Sequence, residues 1–166
     1  MPLDEQIVAE IYREHAPALR RFVIGITSSP EQAEDVVQET ILRIWQQAPG
    51  ITTSMRGYLF RTARNIVIDN FRHQQRRPQQ TQTEHLEQMA ITVEHVDELL
   101  MKVLMEEALT RLSAVHREVI IALHYRRFTA AEAAAVLNLP AGTVKSRAFY
   151  ALKALRAVLD EMGVKP

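Results

Sequence analysis

No cysteine occurs among the 166 residues, so neither a disulfide nor thiol catalysis is available, and a cytoplasmic location fits. Glycine is scarce, at 5, and β-branched runs are short. Ala, Leu, Glu, Gln and Arg dominate instead, which favours an all-α fold. No apolar run reaches the roughly 18 residues that a membrane span needs. A basic, then apolar, then small-residue leader is also missing, so no secretory signal is expected. Net charge is absent too, 20 Lys and Arg balancing 20 Asp and Glu. With 47% hydrophobic residues the chain can still bury a core.

The zero balance hides segregation. Residues 1–39 carry eight acids against three bases, and 56–77 carry six arginines against Asp69 alone. Residues 84–107 carry seven acids against Lys102, and 143–156 carry four bases and no acid. Two basic segments are thus separated by an acidic one. They are either solvated helix faces or surfaces for a polyanion.

Apolar spacing organises the chain into helices. Ile7, Ile11, Leu19, Phe22, Val23 and Ile26 form most of a stripe over 5–27, which Pro17 is expected to bend or interrupt. Ser29 as N-cap, Pro30 in the first helical position and Gln32 completing a capping box announce the next helix. Its core stripe is Ala33, Val37, Ile41, Ile44 and Trp45. The string APGITTSMRG (48–57) reads as a loop, and a third helix is expected from Tyr58 to Arg77. PQQTQTEHLEQ (78–88) is polar and aperiodic, the mark of a flexible linker. The expected layout is therefore a helical module at 1–77, a linker at 78–96 and a second helical module at 97–166. Helices at about 94–111 and 114–127 open the second half, and Thr129 with Glu132 forms another capping box.

Residues 129–156 have the layout of a helix-turn-helix. A short helix, Thr129–Leu137, meets a turn at Asn138–Leu139 and then a longer helix. Ala133 is small enough for the pair to cross closely, and Asn138 suits a left-handed turn position. Val136, Leu139, Val144 and Leu152 are expected to face the pair's own core. Pro140 starts the second helix without wasting a donor, and Gly142 permits close approach. Free N–H groups and the positive dipole end favour phosphate. Thr143, Lys145, Ser146, Arg147 and Tyr150 lie around the outer side of these first turns, placed to reach bases and phosphates.

Two further faces stand out. On the helix from Tyr58, Arg61, Arg64, Asn65, Ile68, Arg72 and Arg76 recur at three- and four-residue steps opposite Leu59, Ala63, Ile66, Val67 and Asn70–Phe71. Arg and Asn are residues that bind phosphate and read bases. Tyr58 and Phe60 are expected to offer rings for stacking on an unpaired base. On the helix from Ser29, Asp35, Gln38, Glu39, Leu42 and Gln46 form an acidic, amide-rich stripe around an exposed Leu, which suggests protein docking. An ordinary solvated surface is the alternative for each face.

The strings AEDVVQETILRIW (33–45), GYLFRTARNIVIDNFR (57–72) and AGTVKSRAFYALKALR (141–156), in this order, resemble the extracytoplasmic-function RNA polymerase sigma factors. The resemblance covers about residues 7–160 except the linker. It implies two small helical domains joined by a flexible linker, corresponding to sigma regions 2 and 4, with core RNA polymerase and promoter DNA as partners. Asp35, Gln38, Glu39 and Leu42 fall where the family docks on polymerase. Tyr58, Arg61, Arg64, Asn65 and Arg72 fall where it recognises and melts the minus-ten element. Thr143, Lys145, Ser146, Arg147 and Tyr150 fall on its minus-thirty-five reader. The ending ALRAVLDEMGV (154–164) resembles a subgroup controlled by membrane-anchored anti-sigma factors with a zinc-binding domain, which implies recruitment to the inner face of the membrane.

The pattern also departs from the family's usual one. Asn138 stands where Gly is common, Pro140 where Ser is frequent, and YRRFTAAEAAAVL (125–137) brings Arg126 and Arg127 in place of an acidic, glycine-bearing version. A helix-turn-helix regulator acting without polymerase explains 129–156 but leaves the first module idle. An enzyme is not expected. His15, His73, His85, His95, His116 and His124 are scattered, and neither HExxH nor a Gly-rich phosphate loop occurs, so no metal, cofactor or small-molecule substrate is expected.

Overall fold

A computed structural model describes residues 3–47, 54–76 and 92–164 of the chain. The described residues are helical and contain no strand. In order they form α1 (Glu5–Thr27), α2 (Pro30–Gln47), α3 (Met55–Arg76), α4 (Val93–Arg111), α5 (Ala114–Ile120), a π segment (Ile121–Tyr125), α6 (Ala130–Leu137) and α7 (Ala141–Glu161). Two compact units result, Met1–Val103 and Leu104–Pro166, with α4 running through the boundary. The linker expected at 78–96 lies outside the described residues as far as 91, and its last residues, 93–96, belong to α4.

The first unit is built on α1. Asp4 caps it, its carboxylate accepting from the Gln6 N–H at 2.9 Å, and left-handed Ser28 ends it. Pro17 does not interrupt it. The proline sits on the exposed side, while Ala16, Ala18, Leu19 and Phe22 are buried beside it. That continuous apolar stripe outweighs one missing N–H donor. α2 begins at Pro30, with the Gln32 N–H donating to Ser29 Oγ at 3.2 Å. It buries Ala33, Val36, Val37, Ile41 and Ile44, whereas Trp45, expected in the core stripe, is 38% exposed. α3 adds Leu59, Phe60, Ala63, Ile66 and Val67, and the rings of Phe22 and Phe60 stand 6.2 Å apart. Phe60 is therefore a core residue and not a stacking platform. The helix starts at Met55, three residues before the position expected from the loop string, of which 48–53 lie outside the described residues.

Polar contacts pin the helices of this unit to each other. Arg20 Nε donates to Glu34 Oε2 at 2.7 Å, Tyr12 donates to Glu34 Oε1 at 3.1 Å, and Arg20 also donates to the Tyr12 hydroxyl. Buried Arg56 lies over the Phe60 ring at 5.0 Å and bonds His15 Nδ1 at 2.8 Å, which joins α3 to α1. Arg56 thus leaves the basic surface to which its place in 56–77 assigned it.

The second unit packs the end of α4, α5, the π segment, α6 and α7. Ser113 caps α5. Arg117 turns back on α4 and donates to the carbonyls of Leu109, Thr110 and Leu112 at 2.8, 3.0 and 2.9 Å. It thereby satisfies acceptors that a helix C-terminus leaves open. The helix expected to run to residue 127 widens after Ile120. Arg126 N–H bonds Ile121 C=O at 2.9 Å in the five-residue register of a π turn, and Arg127 then takes a left-handed φ of 56°.

The Arg20 hydrogen bond above all, opposed by burial and assisted by the Tyr12 hydrogen bond, holds the Glu34 carboxyl below its ordinary 4.5. A carboxylate depressed in this way stabilises the folded state above its unfolded-state pKa and loses that effect as pH falls. Glu34→Gln should therefore lower the melting temperature at neutral pH by the equivalent of about 1 kcal/mol or less, the pair being partly exposed. The gap from the parent protein should close as the pH drops below 4.5, measured by circular dichroism melts across the acid range. A gap that stays constant there would mean that Glu34 acts by packing alone.

Candidate nucleic-acid and docking interfaces

The helix-turn-helix is set by a few backbone details. Thr129 and Glu132 make a complete capping box, with Glu132 N–H to Thr129 Oγ1 at 3.2 Å and Thr129 N–H to Glu132 Oε2 at 2.9 Å. Asn138 is left-handed, at φ 55° and ψ 49°, and its N–H closes on Ala134 C=O. Ala133 is fully buried and clusters with Ala122 and Val144, flanked by Leu123, Phe128, Leu137 and Leu139. Pro140 is the N-cap of α7 rather than its first helical residue, and the helix begins at Ala141. Val136 and Leu152, expected to face the pair's core, are 58% and 44% exposed. Leu139 and Val144 pack there as expected, Leu137 takes the inward place of Val136, and Ala151 and Leu155 fill the positions around Leu152.

The head of α7 presents what the sequence grouped there. Lys145, Ser146 and Tyr150 are exposed, and Thr143 and Arg147 are half-buried. Ser146 donates to Thr143 C=O at 3.1 Å, which leaves its oxygen able to accept. Tyr150 stands edge-on to Phe149 at 5.4 Å, and both rings are more than half exposed. Phe149 was not grouped with these residues, although its place five positions after buried Val144 turns it away from the inward side of α7. A Cβ on exposed Gly142 would meet nothing within 4 Å, so the glycine is not there to fit its own fold.

On α3, Arg61, Asn65 and Arg72 are exposed, Tyr58 and Arg64 are half-buried, and Ile68, expected among them, is 7% exposed. Tyr58 donates to Gln47 Oε1 at 3.2 Å, joining the start of α3 to the end of α2. Arg64 donates to Asn65 Oδ1 at 3.1 Å and to both carboxylate oxygens of Asp97 on α4. That hydrogen bonding raises the Arg64 pKa and lowers that of Asp97, so both stay charged through the neutral range. The Arg64–Asp97 pair was missed because it joins residues on two helices separated by the polar stretch. Opposite charge in 56–77 and 84–107 was the available signal.

On α2, Asp35, Gln38 and Leu42 are exposed, and half-buried Glu39 is paired with Arg43 at 2.5 Å. Trp45, one turn beyond Leu42, widens this face, and its Nε1 donates to Leu3 C=O at 3.0 Å. Among the described residues no group of three or more His, Asp or Glu side chains could hold a metal ion, and no helix is long and apolar enough to cross a membrane.

These surfaces coincide with two recognised regions. Residues 11–77 match Sigma-70 region 2 and residues 108–157 match Sigma-70 region 4. The chain is 41% identical over 164 residues to the ECF RNA polymerase sigma factor SigL of Mycobacterium tuberculosis, covering 95% of this chain and 92% of that protein. It is 30% identical to the RNA polymerase sigma-E factor of Streptomyces antibioticus, covering 91% and 83% of the two. Among solved structures it is similar to the sigma factor RpoE bound to the anti-sigma factor NepR from Bartonella quintana, with 25% identity, 93% and 97% coverage and a TM-score of 0.39. CnrH in complex with the cytosolic domain of CnrY gives 24% identity, 95% and 90% coverage and the same TM-score of 0.39. The chain belongs to the extracytoplasmic-function RNA polymerase sigma factors.

Gly142→Ala separates fold from function. With open space around its Cβ, the alanine should raise the stability of the second unit by up to about 1 kcal/mol through helix propensity. On the expectation that Gly142 permits close approach of a DNA backbone to α7, the added methyl group should weaken duplex promoter binding while the melt improves. Unchanged binding in a gel shift would show that nothing comes close to this helix end.

Proposed function

We propose that this chain binds core RNA polymerase and directs it to promoters by reading two elements with separate surfaces. Asp35, Gln38, Glu39 and Leu42 dock on polymerase, with Trp45 extending the apolar part of the contact. Thr143, Lys145, Ser146, Arg147 and Tyr150 read the minus-thirty-five element as duplex, Lys145 and the start of α7 taking phosphates while Arg147 reaches a base edge. Tyr58, Arg61, Arg64, Asn65 and Arg72 hold the minus-ten element once it is open. Unstacking a base costs a few kcal/mol, which guanidinium contacts to the strand and stacking on Tyr58 offset. An anti-sigma factor holds the chain inactive, membrane-anchored and zinc-binding in the form that the resemblance of residues 154–164 implies. The observation that carries this reading is the presence of both region matches, in this order, in one chain.

Run-off transcription with core polymerase, on promoters of the source organism including that of the chain's own operon, tests the whole proposal. A gel shift with and without core polymerase tests the rival reading. Strong specific binding by the chain alone, with no gain from polymerase, would make it a regulator that works without polymerase.

Two substitutions test the separate elements. Arg147→Ala should weaken upstream-element binding by roughly 1–3 kcal/mol and relax preference at one base pair, whereas a uniform loss on all sequences would make Arg147 a phosphate contact. Asn65→Ala with Arg72→Ala should leave polymerase docking and upstream contact intact but block opening. Permanganate reactivity of thymines should recover on a template already mismatched across the minus-ten region, because the unpairing cost is then met. Normal melting of intact duplex by the double variant would leave this face without a role in opening.

A further inference from the structure

The acidic stretch at the start of α4 has no task in the reading above, yet it meets the arginine face of α3. Val96, Leu99, Leu100 and Val103 recur there at three- and four-residue spacing, with Val96 1% and Val103 9% exposed. Leu99 reaches α1, its Cδ2 lying 3.9 Å from where a Cβ on Gly25 would stand. Beside this stripe Asp97 takes the guanidinium of Arg64 with both oxygens, at 2.5 Å from Nε and 3.1 Å from the terminal nitrogen. Thr92, Val93 and Val96 line one cleft together with Ile68, Phe71, Arg72 and Gln75 of α3. Arg64, Ile68 and Arg72 follow one another at four-residue steps, so they share one face. That is the face read above as holding the opened strand, and its occupant here carries the charge sign of a DNA backbone.

We infer that Val93–Val103 is an internal stand-in for the DNA strand, with Asp97 occupying Arg64 and the apolar stripe covering Ile68 until a strand displaces them. The inference rests on the strand-binding reading of α3. Carboxylate and phosphate compete for the same guanidinium fork, so Arg64 cannot serve both in full. The hold is light, since the Arg64 and Asp97 side chains are 29% and 47% exposed and water screens the pair. Arg61 and Asn65 stay exposed beside it, which gives an incoming strand its first contact. The affinity of the free chain for single strand is then reduced by the fraction of molecules in which α4 lies on this face. Duplex DNA, whose bases are not splayed, gains less from displacing it.

The test uses the full chain and a fluorescein-labelled, mixed-sequence single-stranded deoxyoligonucleotide, with binding read by anisotropy at low salt. Asp97→Asn should bind about two- to five-fold tighter than the parent, the range expected of one partly exposed ion pair. Glu98→Gln removes the same charge from the neighbouring residue and should shift affinity much less, and Asp97→Glu should restore the parent value. Amide exchange over 93–103 should rise in the parent when the strand is added. Equal shifts for Asp97→Asn and Glu98→Gln, or none for either, would overturn the inference. Arg61→Ala and Arg72→Ala tell the two failures apart. If they weaken strand binding while Asp97→Asn is neutral, only the stand-in is wrong; if they too are neutral, the strand-binding reading of α3 falls with it.

Discussion

Burial of Ala33 and Val37 on α2, and of Ala63 and Val67 on α3, around the Leu19–Phe22–Val23 stripe of α1 is the constraint from which the exposed faces of the first unit follow. A helix has one rotation about its axis, so fixing the inward residues fixes the outward ones. With Ala63 and Val67 inside, Arg61, Asn65 and Arg72 must lie outside. With Ala33, Val37 and Ile44 inside, Asp35, Gln38 and Leu42 must lie outside. Small side chains at Ala33 and Ala63, both fully buried, let the helices approach closely, and the Arg20–Glu34–Tyr12 and Arg56–His15 contacts fix the pairing. Two surfaces of opposite character therefore come from one apolar core.

The second unit solves a harder problem with fewer residues. It is too small to bury every apolar side chain, and Val136, Phe149, Tyr150 and Leu152 remain exposed around the helix pair. Its precision comes from hydrogen bonding more than from bulk. The Thr129–Glu132 box starts α6, left-handed Asn138 stops it, and Arg117 holds the end of α4 through three carbonyls. Charge-assisted bonds to backbone carbonyls are stronger than neutral ones and fix geometry in a fork. The head of α7 is presented by that frame.

Local chemistry was readable from the sequence where it acts over a few residues. Thr129 with Glu132, Asn138 in its turn, Pro30 opening α2 and the arginine spacing on α3 all follow from short-range rules, and the all-helical class follows from composition. Readings that depended on which element covers a face came out differently. Ile68 has the spacing of an exposed residue, but α4 lies over that part of α3. Arg56 belongs to a basic stretch, but the Phe60 ring and His15 draw it inward. Val136 has the hydropathy of a core residue, but the adjacent Leu137 takes the inward position. Spacing specifies a face and cannot specify its neighbour, so the ion pair between Arg64 and Asp97 lay beyond any local rule.

The π segment between α5 and α6 bears on how this architecture changes over time. A π turn amounts to one residue inserted into an α-helix, and each residue of an α-helix advances the chain by about 100°. The widening at Ile121–Tyr125 therefore resets the phase at which Arg126, left-handed Arg127 and the start of α6 leave the end of α5. Removal of a single codon there would restore ordinary winding and re-index everything downstream by that one step, with α6 and α7 unaltered internally. The heading of the helix pair relative to α5 is thus a discrete variable, changed by insertion or deletion rather than by gradual exchange of side chains.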